Sequence, residues 1–127
     1  DGRKLTADEK VIDSFYTELL AWINSSEVIQ HGKFFDLQYA QNSSYPKDKV
    51  YSYLRYTEKG RNLIICNFDS INHDFTIEIP SLALDMMGVK SVKLKTFKNF
   101  VPPSAPAAEV EGNRIQIPAN SAIIITL

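Results

Sequence analysis

The hydrophobic period of this chain changes once, at Gly32, and that change constrains the fold more than any motif does. Before it, apolar residues recur at Val11, Ile12, Phe15, Tyr16, Leu19, Leu20 and Ile23, with Trp22 at one margin. The spacing draws one broad stripe at the helical period and leaves Asp13, Ser14, Thr17, Glu18 and Ala21 on other faces. Thr6-Ala7-Asp8-Glu9 reads as a capping box, in which the Thr6 hydroxyl takes the Glu9 amide and the Glu9 carboxylate reaches back. Two acids in the first turn also suit the positive end of the helix dipole. Asn24-Ser25-Ser26 ends this helix, Ser25 or Ser26 caps one further turn through Glu27–Gln30, and Gly32 stops it.

After Gly32 the period is 2. Lys33–Ala40 alternates Phe35, Leu37 and Tyr39 on one face, and the polar stretch Gln41–Lys49 reads as a surface loop. Val50–Thr57 sets Val50, Ser52, Leu54 and Tyr56 against Tyr51, Tyr53 and Arg55, and Glu58-Lys59-Gly60 makes a hairpin connection. Asn62–Phe68 is apolar on both faces, as a central strand covered on each side must be. Asp69–His73 turns the chain, and Asp74–Ile79 alternates Phe75, Ile77 and Ile79 until Pro80. Ser81–Met87 reads as a short helical turn ended by Gly88, and Lys90–Phe97 as a strand half in water. Val101–Ala108, with three prolines, reads as a loop. Glu109–Glu111, Gly112-Asn113 and Arg114–Ile117 form a hairpin, and Ser121–Leu127 a last strand.

The expected architecture is mainly β, an antiparallel β-sandwich of about seven or eight strands preceded by one amphipathic α-helix. Residues 1–32 form the helical segment and 33–127 the sandwich. At 127 residues the chain is one ordinary domain with one sizeable core. Its 14 Lys and Arg against 15 Asp and Glu leave no basic surplus for phosphates, which argues against nucleic acid. The longest apolar runs, Leu63–Cys66 and Ala122–Ile125, are far below the ~20 residues of a membrane helix, so no membrane partner is expected. The Asp-Gly-Arg start, without Met, and the strand-like end lead to the expectation of a piece from the C-terminal end of a larger protein.

Chemistry is sparse. His31 and His73 lie far apart, with no Cys or carboxylate at ligand spacing, so no metal site is expected. The five glycines are isolated, which leaves no phosphate-binding loop, and no Gly-x-Ser-x-Gly elbow is present. Cys66 sits in an apolar run without a neighbouring base and reads as a core residue. Two Asn-x-Ser triplets, at Asn24 and Asn42, carry weight only in a secreted eukaryotic protein. Tyr39, Tyr45, Tyr51, Tyr53 and Tyr56 cluster around the second strand. Rings exposed in a flat row stack on sugars, while the commoner fate of strand tyrosines is a core or an interface.

Several passages in order resemble the C-terminal end of α-amylase superfamily glycoside hydrolases, especially the cyclomaltodextrinase and neopullulanase group. Phe15-Tyr16-Thr17-Glu18-Leu19-Leu20, Asn24-Ser25-Ser26 and Gly32-Lys33-Phe34-Phe35-Asp36-Leu37 are similar to that family's last barrel helix and the passage after it. Val50-Tyr51-Ser52-Tyr53-Leu54-Arg55 resembles its "VYAYLR" strand, and Leu63-Ile64-Ile65-Cys66-Asn67-Phe68-Asp69 the aliphatic strand closing on Asn-Phe. Pro118-Ala119-Asn120-Ser121-Ala122-Ile123-Ile124 resembles the closing strand. The similarity runs from Val11 to about Ile79, thins over Ser81–Glu111 and returns at the end.

The resemblance implies that the N-terminal helix is the last of a (β/α)₈ barrel, whose catalytic carboxylates stand at strand ends upstream of Asp1. It therefore implies a chain with no catalytic, cofactor-binding or metal-binding residue, from a parent acting on starch- or maltodextrin-type α-glucans. The expected partner is the catalytic barrel of the same parent. Alone, the Val11–Ile23 stripe either folds back on the sandwich or drives weak self-association. The alternatives are a carbohydrate-binding module with a weak glucan contact through exposed tyrosines, and an unrelated β-sandwich interaction domain. Asn72-His73-Asp74 spells the "NHD" of a substrate-steadying motif in this family, but that motif precedes the last helix, whereas here it follows by two strands. Position makes it a hairpin loop.

Overall fold

Strict alternation from Val50 to Tyr56 builds the strand that organises the molecule, with every second side chain buried. A computed structural model describes Thr17, residues 32–100 and residues 106–127. Of the N-terminal segment only Thr17 is described, and it is helical and exposed; the capping box, the apolar stripe and His31 lie outside the described residues.

The described strands are β1 (Lys33–Asp36), β2 (Val50–Tyr56), β3 (Arg61–Asn67), β4 (His73–Thr76), β5 (Phe97–Phe100), β6 (Glu109–Glu111), β7 (Arg114–Ile117) and β8 (Ser121–Thr126), with helix α1 (Ser81–Met87) between β4 and β5. A five-stranded sheet runs β1-β2-β3-β8-β5 and a three-stranded sheet runs β4-β7-β6, every pair antiparallel. The fold is the expected antiparallel β-sandwich.

The core lies between the sheets. Val50, Leu54, Leu63, Ile65, Ile123 and Ile125 of the large sheet pack with Phe75, Ile77, Ile115 and Ile117 from the small one and the segment following β4. Each fully buried aliphatic side chain contributes about 1.5–3 kcal/mol of transfer free energy, so this layer is the main source of stability. Turn chemistry sets the register. The Thr57 amide donates to the Gly60 carbonyl at 2.8 Å while its hydroxyl accepts from Lys59 and Gly60, closing the β2–β3 hairpin. Helix α1 ends where expected: Gly88 takes a left-handed φ of 73° and its amide donates to the Leu84 and Asp85 carbonyls.

Four segments depart from the sequence reading, the first being β4, which spans His73–Thr76 and stops short of Ile79. β1 stops at Asp36 because the Asp36 carboxylate accepts the Gln38 amide at 2.9 Å and turns the chain into a short 3-10 helix, Gln38–Ala40. Tyr39 is therefore exposed, with its ring centroid 6.2 Å from that of Phe35. The Gln41–Lys49 loop carries two buried side chains, Gln41 and Tyr45. Residues 90–96 are not a strand; the paired register with β8 runs over Phe97–Phe100, Lys95 and Thr96 add backbone hydrogen bonds to Thr126, and Val92 and Leu94 still pack on the core.

Candidate functional site

The polar groups that sequence reading singled out are spent on holding loops. His73 opens β4 and its Nε2 meets the Asp69 carboxylate at 2.8 Å, which holds the Asp69 carboxyl below the usual carboxylate range. Asn72 accepts the Ala119 amide at 3.0 Å through its side-chain oxygen and pins the turn before β8. Asp74 accepts from Arg114 Nε at 3.0 Å and Nη2 at 2.6 Å, a two-pronged pair across β4 and β7, and also from Gln116. The Arg114 hydrogen bond is the main reason the Asp74 carboxyl lies below its ordinary range. All three residues of the Asn72-His73-Asp74 triplet thus brace the small sheet and its turns.

Among the described residues no three His, Cys, Asp or Glu side chains gather as metal ligands. Shallow grooves open at the surface, one of about 590 Å³ along the 42–49 loop and two others of about 330 and 260 Å³. The 330 Å³ groove is lined by Lys33, Tyr56, Thr57, Glu58, Met86 and Met87, with no pair of carboxylates. The 260 Å³ groove holds Asp74 and Glu109, but Asp74 is already committed to Arg114 and Gln116. Each of these two grooves holds one carboxylate with no hydrogen-bond or salt-bridge partner among the described residues, Glu58 in the former and Glu109 in the latter, and neither groove brings two such carboxylates together.

The five tyrosines are divided among three environments. Tyr45 and Tyr56 are buried, and burial pushes the Tyr45 phenol up to about 12. Tyr39 stands exposed on the 3-10 turn. Only Tyr51 and Tyr53 share a surface, the outer face of the large sheet, where Phe34 joins them: Phe34–Tyr53 centroids are 5.2 Å apart and Tyr51–Tyr53 5.5 Å. The Arg55 guanidinium lies 5.5 Å from the Phe34 ring centre, and its Nη1 donates to the Gly32 carbonyl at 2.8 Å.

That outer face is the surface that sequence reading did not single out. Register aligns Tyr53, Ile64 and Ile124 in one rung and Tyr51, Cys66 and Ala122 in the next. Ile64, Ala122 and Ile124 are 1%, 1% and 3% exposed, although all three point away from the inter-sheet core. Cys66 shares this face, and burial pushes its thiol up to about 11. The two-faced apolar pattern of Asn62–Phe68 was the available signal.

Comparison with solved structures finds the same fold within longer chains. The chain is similar to the trehalulose synthase MutB of Pseudomonas mesoacidophila MX-45, at 19% identity and a TM-score of 0.57, over 89% of this chain and 17% of that one. A MutB mutant in complex with the substrate sucrose aligns at 19% identity and a TM-score of 0.56, over 89% and 17%. Amy13B of Eubacterium rectale aligns at 14% identity and a TM-score of 0.55, over 89% of this chain and 19% of its own. This chain spans less than a fifth of the length of each. At these identities the likeness shows a shared fold. No protein-family model matches the sequence. No curated protein matches it either.

Proposed function

We propose that this chain is the non-catalytic all-β unit of an α-amylase superfamily glycoside hydrolase acting on starch- or maltodextrin-type glucans, of the cyclomaltodextrinase and neopullulanase kind. The observation that carries the reading is the sandwich itself, which recurs as less than a fifth of the chains of MutB and Amy13B. The ordered passages from Phe15-Tyr16 to Pro118-Ala119 support the same parent. Its role is mechanical: it covers the flank of the catalytic barrel and stabilises it through buried apolar area. The polar side chains named above serve loops and turns, which fits a brace better than a reaction centre.

The test is incubation of the purified chain with maltodextrins and soluble starch, followed by assay of released reducing ends. No release above buffer is expected, and turnover that scales with the chain's concentration would overturn the non-catalytic reading. A second reading, glucan binding, rests on the Phe34–Tyr53–Tyr51 row and the 48% exposure of Phe34. Affinity electrophoresis separates the two. Free migration in starch-containing gels is the result expected of a brace, and retardation abolished by Phe34→Ala makes binding the function.

A further inference from the structure

One edge of the large sheet is charge-segregated. From Met86 to Ala108 the chain holds Lys90, Lys93, Lys95 and Lys98 and no Asp or Glu, so this run carries +4 while the rest of the chain sums to −5. Residues 90–96 lead into β5, an edge strand of the large sheet. Val92 and Leu94 pack on the core, so the alternating Lys93 and Lys95 are turned outward and exposed, and Lys90 is exposed as well. The segment is held in place: the Lys95 amide donates to the Thr126 carbonyl and the Thr126 amide to the Thr96 carbonyl, both at 2.9 Å. Lys90, Lys93 and Lys95 form no salt bridge with any described residue. Lysines on an edge strand also keep edges from pairing, which accounts for Lys98 on β5 but not for Lys90 and Lys93, which precede the ladder.

We propose that Lys90, Lys93 and Lys95 form a docking edge for a carboxylated polysaccharide, a polyuronate chain lying along this segment. Three features select the partner. At about 3.3 Å per extended residue the three lysines span about 16 Å in a single row, which fits a linear polyanion better than a flat surface. The apolar side chains between them are turned into the core, so none stands beside the ammonium groups to enter a lipid layer. The run has no Arg for two-pronged phosphate contacts, and Phe97 packs on the core instead of offering the stacking platform that single-stranded nucleic acid uses. What remains is point-charge pairing with spaced carboxylates, and the exposed Ser91 and Thr96 hydroxyls beside the lysines suit sugar hydroxyls. The inference is independent of the glucan reading, because it rests on charge and not on the Phe34–Tyr53–Tyr51 row.

The experiment measures retention of the full chain on immobilised polygalacturonate at low ionic strength. It compares the unsubstituted chain, Lys90→Ser/Lys93→Ser/Lys95→Ser, and the charge-matched control Lys47→Ser/Lys49→Ser/Lys59→Ser. Affinity is expected to fall at least tenfold in the first variant and less than twofold in the control, and to weaken severalfold at about 0.15 M salt, where charges are screened beyond about 8 Å. No retention of the unsubstituted chain overturns the proposal, as does an equal loss in the two variants. Tighter binding to single-stranded DNA or to phosphatidylserine vesicles assigns the edge to another partner and overturns it too. Equal retention on immobilised starch assigns the binding to neutral glucan, with the same consequence. Carbodiimide coupling of oligogalacturonate to the unsubstituted chain, followed by peptide mapping, needs no variant that must fold. Joins at Lys90, Lys93 or Lys95 are expected, and joins confined to other lysines contradict the docking edge.

Discussion

The ring of Tyr45 stands edge-on to Phe75, with centroids 5.0 Å apart and planes at 82°. One comes from the polar loop after β1 and the other from β4 of the small sheet, so the contact pins that loop across the sandwich. The Tyr45 hydroxyl meets the Ser52 hydroxyl at 2.8 Å and also donates towards the Val50 carbonyl and Gln38. Tyr45→Phe keeps the ring and removes these bonds, and is expected to lower stability by about 1–2 kcal/mol in urea unfolding. Tyr45→Ala removes the ring as well and is expected to cost about 3–5 kcal/mol. Because the folded phenol titrates near 12 and the unfolded one near 10, the native state holds its proton longer. Stability therefore falls as pH rises above about 10, and Tyr45→Phe flattens that alkaline slope.

Asn67, 1% exposed at the end of β3, donates to the carbonyls of Ile71, Ile117 and Pro118 and accepts the Asp69 amide at 3.0 Å. One side chain joins the large sheet to the last residue of β7 and the turn that follows. Asn67→Ala leaves buried carbonyls without a donor and is expected to cost about 2–4 kcal/mol. Asn67→Asp replaces the donor with a carboxylate among carbonyls and is expected to destabilise at least as much at neutral pH. Chemical denaturation of both variants checks the ordering.

How far the fold was legible in the sequence follows from which interactions define each element. β2, β3, the β6–β7 hairpin and α1 are written in local terms: alternation, Gly112-Asn113 in the turn, and a left-handed Gly88. The loop 41–49 defeats such reading because its polar residues complete hydrogen-bonding that strands otherwise supply. Gln41 donates to the Glu78 carbonyl at 2.8 Å and accepts the Glu78 amide at 2.9 Å, so a side chain takes the place of a strand partner. The late start of β5 is a matter of partner, since Phe97 pairs with Ile125, and before it Lys95 and Thr96 exchange backbone hydrogen bonds with Thr126, the last residue of β8. For the candidate site, the engagement of Asp74 by Arg114, far along the chain, is invisible to spacing. The apolar outer face of the large sheet was half legible, in the apolar run of β3.

Asp69 and Asp74 both have carboxyls held below their ordinary range, chiefly by the hydrogen bonds to His73 and Arg114. A carboxylate depressed in the folded state contributes stability that is present above the unfolded value near 3.9 and is lost as pH falls through the folded value. Thermal melts are therefore expected to show Tm falling as pH drops below about 4. Asp74→Asn removes one of the two contributions, so its Tm is expected to fall less steeply over the same window. An identical slope in the variant and the unsubstituted chain would contradict this assignment.

Gly88 and Gly112 both hold positive φ, 73° and 59°, and an added Cβ at either meets nothing within 4 Å. Gly88→Ala thus isolates backbone strain from packing and is expected to cost about 1–2 kcal/mol. Gly112→Asn, in a two-residue hairpin turn, is expected to cost less than Gly112→Ala because Asn tolerates the left-handed region. Urea midpoints with unchanged slope check both.

In the proposed parent glycoside hydrolase, Asp74→Ala is expected to leave hydrolysis of maltodextrin unchanged at temperatures well below the melt. Its carboxylate is bound to Arg114 and Gln116 on the small sheet. A collapse of kcat in a variant that still folds would return the Asn72-His73-Asp74 triplet to the reaction.

The central claim is that this sandwich is a brace belonging to a larger sugar-active enzyme. Reading the coding sequence directly upstream of Asp1 tests it most directly. Several hundred codons in a strand–helix rhythm, with Asp and Glu at strand ends, are the predicted result. A start codon or a signal peptide immediately before Asp1 would contradict the claim and make this a free-standing protein.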